Sequence, residues 1–407
     1  MIVLAGGDLV LPGRVLPNAS LLIDGARIAA VEPHARIDAA GATIVETPEC
    51  YIVPGFVDVH VHGVDGHDTL DEGDAVARIA SRLPRYGVTA FCPTTVACDP
   101  SALRRVLAQV ATARAIRPAN SARVLPAHIE SNFINPEYRG AQPAECLRLP
   151  SDTVGRADGT FSTRDILDII AGARADVGIV TLAPELPGGV ELVRALVAAG
   201  TRVSLGHSGA SLDEAMAAID AGARHATHLF NRMAPMTHRA PGVAGAVLAR
   251  DEVAAELICD GYHVHPAMSR IAIASKGVGR VMAITDGTAG SGLPVGSITR
   301  LGGRSIRVTE HAVVLDAGTL AGSSLTMDRA FRAIATTFGF SVPDAAMLCS
   351  TTPARELGLT GSGVLAEGGF ADVVVLDRRF HVVRTFIDGR EVYAEKGARG
   401  ARGARVR

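Results

Sequence analysis

The chain has 407 residues, of which 48% are hydrophobic, and a formal net charge of −2 at pH 7. Such a chain can build one large domain and a smaller one without disulfides, and its near-neutral charge gives no argument for binding nucleic acid or a membrane surface. The six cysteines form no CxxC pair, and the sequence has neither a signal peptide nor an apolar run that could span a bilayer. We therefore expect a cytoplasmic protein with reduced thiols.

The two ends of the chain are predicted to be rich in β-strands. Short apolar segments alternate with Gly, Pro and Asp over residues 1–51, and the same pattern returns over 366–398. The Asp24-Gly25 pair is typical of a tight hairpin turn. We expect the two ends to form one small flanking β-sandwich, followed by a basic, glycine-rich, disordered tail at 399–407.

The middle of the chain alternates strand and helix patterns. Its eight strand candidates are Ile52–His60, Val88–Pro93, Arg123–Glu130, Val177–Leu182, Arg202–His207, His225–Leu229, Ala254–Cys259 and Arg280–Thr285. Helical segments separate them. Eight β units with intervening helices predict an α/β fold, a (β/α)8 TIM-type barrel over residues 52–365.

The first barrel strand leads into the stretch IVPGFVDVHVHG at residues 52–63. Alternation along a strand places His60 and His62 on the same face, about 7 Å apart. Two imidazoles at that spacing can hold one divalent metal ion. Two hydrogen-bonded core histidines would give the same pattern. The preceding Asp58 is a candidate to orient His60, and a plain turn or strand role for it is equally open.

Four more metal-type side chains fall at the ends of predicted strands. Glu130 ends the third strand, His207 the fifth and His228 the sixth, and Asp286 follows the eighth. Catalytic groups of barrel enzymes lie at the carboxyl ends of the strands. Core histidines would be scattered along the strands instead, so these positions predict a metal site at one end of the barrel.

Six motifs carry a resemblance to a known family. They are PGFVDVHVHG, GHSGAS, ATHLFNRM, DGYHV, ITDG and LAGSSLTM. In this order, over about residues 50–390, they resemble the N-acetylglucosamine-6-phosphate deacetylase family of the amidohydrolase superfamily. The resemblance implies a metal-dependent barrel with a flanking β-sandwich that removes acetate from an N-acetylated amino-sugar 6-phosphate. It also implies a homodimer with the phosphate site near the subunit boundary.

The resemblance implies a set of metal ligands. Glu130, His207 and His228 would form the primary site, and His60 and His62 would allow a second metal. No lysine ends a barrel strand, so Glu130 would be the bridging ligand. The expected cofactor is one or two divalent cations per subunit, with zinc favoured over iron, cobalt or manganese, which share these ligand types.

The resemblance also implies roles around the metal. Asp286 would be the general base and acid that takes a proton from the attacking water and passes it to the leaving amine. Arg239 and His263 are the candidates for the sugar phosphate. The full set of substrate-binding candidates is Ala141, Gln142, Asn231, Arg232, Arg239, His263, Leu320, Ala321 and Gly322.

The chain departs from the family pattern in two places. His128 begins His-Ile-Glu-Ser-Asn-Phe, where relatives usually have His-x-Glu-Gly-Pro and an aromatic residue. Gln142 follows Gly-Ala, where relatives commonly have a histidine that addresses the substrate amide. These departures keep open another N-acyl sugar phosphate, or a different N-acyl or cyclic amide, as substrate. A barrel that has lost its metal and binds a partner is a third alternative.

Overall fold

The computed structural model describes residues 1–34, 41–152, 160–396 and 402–403. The N-terminal segment forms five strands: β1 (Ile2–Leu11), β2 (Arg14–Asp24), β3 (Arg27–Glu32), β4 (Thr43–Glu46) and β5 (Cys50–Pro54). Strand β1 pairs antiparallel with β2 and parallel with β4 and β5. The predicted hairpin joins β2 to β3, and Gly25 has the positive φ of 54° that glycine adopts without strain.

Parallel strands in the middle of the chain form a nearly closed barrel. The barrel strands are β6 (Phe56–Val61), β9 (Val88–Thr95), β10 (Arg123–Val124), β11 (Ala127–Glu130), β12 (Val177–Leu182), β13 (Arg202–Leu205), β14 (His225–Ala226), β15 (Ala254–Ile258) and β16 (Val281–Ile284). Between β6 and β9, the strands β7 (Gly63–Val64) and β8 (His67–Asp68) form a separate small hairpin. Strands β10 and β11 both pair with β9 and share the third position. The barrel is closed between its first and eighth strands by backbone hydrogen bonds from Asp286 N to His60 O (3.0 Å) and from His62 N to Gly287 O (2.8 Å).

Within the described residues, seven α-helices surround the barrel: α1 (Ala75–Arg82), α2 (Pro100–Ala115), α3 (Thr163–Gly172), α4 (Gly189–Ala198), α5 (Leu212–Asp220), α6 (Gly242–Ala249) and α7 (Pro266–Lys276). Local sequence sets several of their starts. Asp99 caps α2 and Pro100 occupies its first turn, while Ser162 and Ser211 form capping boxes at α3 and α5. The apolar faces of these helices pack on the strands and form the main core.

The chain leaves the barrel after β16 and forms an antiparallel three-stranded sheet, β17 (Ile298–Leu301), β18 (Arg304–Val308) and β19 (Val313–Leu315). This sheet has its own small apolar cluster, which includes Val96 and Leu301. Three helices follow: α8 (Met327–Thr336), α9 (Val342–Ala346) and α10 (Thr352–Glu356), the last two joined by a π-helical segment at Met347–Thr351.

The C-terminal strands return to the N-terminal ones. They are β20 (Val373–Asp377), β21 (Val382–Ile387), β22 (Arg390–Ala394) and β23 (Arg402–Gly403), and β20 pairs antiparallel with β5. The two chain ends thus share one sheet of nine strands with a separate apolar core. The parallel barrel and this separate terminal sheet together confirm the predicted α/β fold class. In the predicted tail, Arg402 and Gly403 pair with β4, and the other residues of 399–407 lie outside the described part of the chain.

Several predicted strands are divided or shortened for identifiable reasons. The strand predicted over Ile52–His60 is two strands, because the chain passes from the terminal sheet to the barrel at Gly55, where a Cβ would lie 2.3 Å from Thr89 Oγ1. Pro126 interrupts the third strand, since proline has no N–H to donate. The fifth and sixth strands end early, before two histidines with positive φ, His207 and His228.

Candidate metal centre and active site

The six predicted metal or catalytic side chains meet at the carboxyl end of the barrel. Each is less than one-tenth exposed, and they stand on or just after five of the eight barrel strands: His60, His62, Glu130, His207, His228 and Asp286. Because the carboxyl ends of parallel strands share one rim, residues far apart in sequence converge there.

Three of these residues have left-handed backbone conformations. The φ angles are 49° at His207, 30° at His228 and 48° at Asp286. Non-glycine residues in this region are strained by about 1–3 kcal/mol each, and such strain concentrates at functional sites. The left-handed turns end the strands and aim these side chains into the barrel mouth.

The first group of donors is built around one oxygen of Glu130. Its Oε1 lies 2.8 Å from His207 Nε2 and 3.0 Å from His228 Nε2, and the two imidazole nitrogens are 3.1 Å apart. His207 Nδ1 lies 2.8 Å from the carbonyl oxygen of Tyr138. This contact requires a hydrogen on Nδ1 and leaves the Nε2 lone pair of the neutral ring facing the group. One carboxylate oxygen and two imidazole nitrogens within 4.8 Å of one another fit a divalent cation.

A second group lies beside the first. His60 Nε2 is 3.2 Å from His62 Nε2, and Asp286 Oδ1 is 3.4 Å and 3.2 Å from these two nitrogens. The other oxygen of Glu130, Oε2, is 3.5 Å from His62 Nε2. Glu130 therefore presents one oxygen to each group, which is the arrangement expected of a bridging ligand.

Charge is concentrated at this end of the barrel. Burial alone would raise the pKa of the Glu130 and Asp286 carboxyls, but the neighbouring imidazoles outweigh it and hold both values below their usual range. Burial likewise opposes protonation of His228, but Glu130 and the other carboxylates outweigh it and raise its pKa to about 9. The site thus keeps its carboxylates ionised and attracts positive charge, either protons or a metal cation.

A cavity at the barrel mouth contains most of the predicted substrate-binding residues. It is lined by His62, Val96, Glu130, Ala141, Gln142, His207, His228, Asn231, Arg232, His263, Asp286, Leu301, Leu320 and Gly322. Arg232 lies against Gly140, where any Cβ would come within 2.6 Å of the Arg232 Nε. A side chain at Gly140 would displace this arginine, and the positive φ of 58° at this position also favours glycine.

Two predicted residues are not among those that line the cavity. Arg239 is exposed, and its Nε donates to His238 Nε2 at 3.1 Å. Ala321 is buried in the cluster beneath the β17–β19 sheet, and its N–H donates to Val313 O. Their roles in substrate binding stay predictions.

The side chains of Gln142 and His263 are each held in place by hydrogen bonds to neighbouring residues. The Gln142 side chain accepts a hydrogen bond from Ala97 N at 2.7 Å and donates to Glu130 Oε2. His263 Nδ1 lies 2.6 Å from Asp260 Oδ2, and its buried Nε2 has no hydrogen-bond partner among the described residues. Burial lowers the pKa of His263, but Asp260 outweighs it and raises the value. Asp260 thus favours the protonated form of His263, which lines the cavity.

Sequence reasoning missed Glu256 on β15. Its Oε2 lies 2.9 Å from His60 Nδ1, and burial raises its pKa to about 7. A lone acid within the apolar strand AAELI was the available signal. Asp58, which was a candidate either to orient His60 or for a plain strand role, accepts from the His60 backbone N–H at 3.2 Å and from the Thr285 hydroxyl at 2.6 Å.

Comparisons with known proteins agree with this geometry. Residues 51–392 match the Amidohydrolase family. The chain belongs to the amidohydrolase family. This amidohydrolase is 37% identical over 406 residues to the N-acetylglucosamine-6-phosphate deacetylase of Rattus norvegicus, an alignment that covers 96% of this chain and 95% of the relative. It is 34% identical to the N-acetylgalactosamine-6-phosphate deacetylase of Escherichia coli O157:H7, with 92% and 94% covered.

A solved structure gives the same result for the fold. An Asp-to-Ala mutant of N-acetyl-D-glucosamine-6-phosphate deacetylase from Mycobacterium smegmatis, in complex with N-acetyl-D-glucosamine-6-phosphate, matches this amidohydrolase with a TM-score of 0.86. The sequences are 30% identical, and 96% of this chain and 99% of that chain are covered. These matches confirm the family resemblance and the barrel predicted from the motifs.

Proposed function

We propose that this amidohydrolase hydrolyses the acetamido C–N bond of N-acetylglucosamine 6-phosphate and releases acetate and glucosamine 6-phosphate. The observation that carries the proposal is the convergence of Glu130, His207 and His228 on one position, with Asp286 beside them and the cavity above. The named deacetylases that match nearly the whole chain support the choice of substrate.

A divalent cation at Glu130, His207 and His228 would supply Lewis acidity, which lowers the pKa of a water ligand and polarises an amide carbonyl. The chain's own residues do the proton transfer. Asp286 is held ionised by the neighbouring imidazoles, and its Oδ1 lies 3.2 Å from His62 Nε2 at the barrel mouth, so it can accept the proton of the attacking water and return it to the leaving nitrogen. The Gln142 side chain, fixed by Ala97, can donate a hydrogen bond toward the acyl group at the cavity wall.

The phosphate would lie near His263 and Arg232. Both residues line the cavity and offer hydrogen-bond donors, with the His263 ring held by Asp260 through Nδ1 and with Arg232 as a cationic group. Arg239 lies outside the cavity of its own chain. A homodimer with the phosphate site near the subunit boundary would allow its guanidinium to meet a phosphate, and we propose this assembly for that reason.

The identity of the cation and the cellular location also belong to this proposal. Zinc is favoured, because a carboxylate and two imidazoles in a compact group are typical of its sites. All six cysteines are free, and none of the described helices is long and apolar enough to cross a membrane. Free thiols support a reducing compartment, and we expect the chain to work in the cytoplasm.

Acetate release is the direct test. The purified chain, loaded with Zn²⁺, should release acetate from N-acetylglucosamine 6-phosphate faster than from the N-acetylgalactosamine and N-acetylmannosamine 6-phosphates. Absence of acetate from all three would contradict deacetylation of sugar phosphates and favour another N-acyl or cyclic amide. Absence of bound metal in the purified chain would favour the non-catalytic alternative.

N-acetylgalactosamine 6-phosphate is a second candidate substrate. It is supported by the E. coli relative, which is nearly as similar as the glucosamine enzymes, and by Gln142, which replaces the histidine common in the family. The two sugars differ only at the 4-hydroxyl, so kcat/KM for the two substrates under the same conditions distinguishes these candidates.

A further inference from the structure

Glu256 lies in the barrel interior directly beneath the two donor groups. It is 0% exposed, it is not among the residues that line the cavity, and it stands on the seventh barrel strand, β15. Transfer of a carboxylate into such an environment is costly unless donors surround it. Its Oε2 meets His60 Nδ1 at 2.9 Å and the His228 backbone N–H at 3.4 Å, while its Oε1 has no hydrogen-bond partner within the described residues.

The other nearby imidazole does not need this carboxylate. His128 Nδ1 lies 3.0 Å from Val59 O, to which it donates, and 3.8 Å from Glu256 Oε1. Its Nε2 is engaged with the Thr181 hydroxyl at 2.7 Å. Both ring nitrogens of His128 are therefore satisfied elsewhere, and the imidazole that Glu256 contacts closely is that of His60.

This contact determines what His60 presents to the barrel mouth. A neutral imidazole carries one ring hydrogen, and donation of Nδ1–H to Glu256 leaves the lone pair on Nε2. That lone pair faces His62 Nε2 at 3.2 Å and Asp286 Oδ1 at 3.4 Å, and Glu130 Oε1 is 3.9 Å away. Acceptors that face one another at such distances repel unless a proton or a metal cation lies between them.

We propose that Glu256 is a positioning residue that holds His60 as a ligand for a second divalent cation, at the position formed with His62 and Asp286. The chemistry is that of a carboxylate that fixes the tautomer and orientation of a metal-binding histidine. The proposal rests on the proposed function, because it takes the Glu130, His207 and His228 position as the first cation site.

Zn²⁺ titration of the metal-free full chain tests this role. The wild type should bind two equivalents, and Glu256→Gln, which has nearly the same shape, should bind the second roughly 10–100-fold more weakly and keep the first. Asp58→Asn is the matched control. It also removes a buried carboxylate near His60, but one that bonds to the His60 backbone N–H and to Thr285 and not to the imidazole, so it should keep both equivalents.

A double-mutant cycle separates positioning from general destabilisation. If Glu256 acts through His60, Glu256→Gln should weaken the remaining Zn²⁺ binding of His60→Ala no further. Two equivalents of unchanged affinity in Glu256→Gln, equal losses in Asp58→Asn, a further loss in the His60→Ala background, or a wild type with a single equivalent would each overturn the proposal.

A measurement on the wild-type chain applies even if Glu256→Gln does not fold. In ¹⁵N-histidine spectra of the Zn²⁺-loaded protein, His60, assigned by its absence from His60→Ala, should carry its hydrogen on Nδ1. Hydrogen on Nε2 would overturn the proposal. Because neither experiment uses the sugar substrate, failure of acetate release would count against the proposed function and leave the role of Glu256 standing.

Discussion

Asp286 shows how the backbone prepares one residue for its role. Its φ of 48° turns the chain at the end of β16, and its N–H donates to His60 O across the closure of the barrel. The carboxylate is thereby held 3.2 Å from His62 Nε2. The His60 and His62 imidazoles outweigh the effect of burial and hold the Asp286 pKa below its usual value. At neutral pH the group is ionised and can accept a proton.

Asp286→Asn should lower kcat for acetate release by about 10²–10⁴-fold. Asparagine is nearly the same size but cannot accept the proton of the attacking water. The fold and the cation at Glu130, His207 and His228 should be retained, as checked by circular dichroism and elemental analysis. Near-normal turnover by this variant would exclude Asp286 from the mechanism.

His207→Ala should lower both cation content and turnover, since it removes a direct ligand. The loss should exceed the roughly 10–100-fold typical of changes to outer partners of a ligand. His265→Ala is the matched control, because His265 is an exposed histidine that caps α7 through Ala267 N. Full metal occupancy in His207→Ala, measured by elemental analysis, would contradict the assignment.

At the scale of elements, the order of the barrel strands and the polar residues near their carboxyl ends could be predicted, because apolar runs and the polar residues that follow them are local signals. Strand lengths could not. His207 and His228 adopt positive φ, which the sequence pattern does not indicate, and β14 is consequently only two residues long. The division at Gly55 depends on contact with Thr89, a residue distant in sequence.

In the site, too, local features could be predicted and contacts between distant residues could not. Ligands at strand ends could be predicted from their spacing, whereas Glu256 could not, because it acts through a contact with His60 across 196 positions. Arg239 was predicted to contact the phosphate, but the loop after β14 leaves it exposed in the single chain. Residues whose partners lie on other elements, or on another chain, are beyond what a linear pattern can reveal.

Helix α5 begins just after the loop that carries His207. Ser211 Oγ accepts from Glu214 N, and the Glu214 carboxylate accepts from Ser211 N at 2.8 Å. Ser211→Ala should therefore lower the free energy of unfolding by about 1 kcal/mol, measured by urea denaturation. Ser81→Ala, at an exposed serine that bonds only to a carbonyl within its own helix turn, should be close to neutral. Equal effects of the two changes would contradict the capping role.

Arg239→Ala tests the loop that follows β14. A charge-assisted bond to phosphate contributes about 1.5–3 kcal/mol, so kcat/KM for the phosphorylated sugar should fall roughly 10–150-fold. Activity on unphosphorylated N-acetylglucosamine should be nearly unchanged. Arg270→Ala, at an exposed arginine of α7, should change neither. An unchanged ratio of the two activities would exclude Arg239 as a phosphate ligand, and equal losses on both would indicate a structural role.

At the scale of the whole molecule, the terminal sheet is joined to the barrel at the strand that carries the first two histidines. Strand β5 pairs with β20 and continues through Gly55 into β6. Arg123 of β10 adds ion pairs to Asp372 at 2.9 Å and Asp388 at 2.8 Å, both from the C-terminal segment. The two chain ends thereby fix the start of β6. They thus also fix the position of His60 and His62 along the barrel axis.

The central claim is that the buried carboxylate and histidines hold a cation that makes this amidohydrolase a deacetylase. The most direct measurement is acetate release from N-acetylglucosamine 6-phosphate by the metal-free chain during stepwise addition of Zn²⁺. We predict no release without metal and a rise in rate that follows the bound equivalents. His228→Ala should show no such rise at the same concentrations. Full activity in the metal-free chain, or none in the fully loaded one, would contradict the claim.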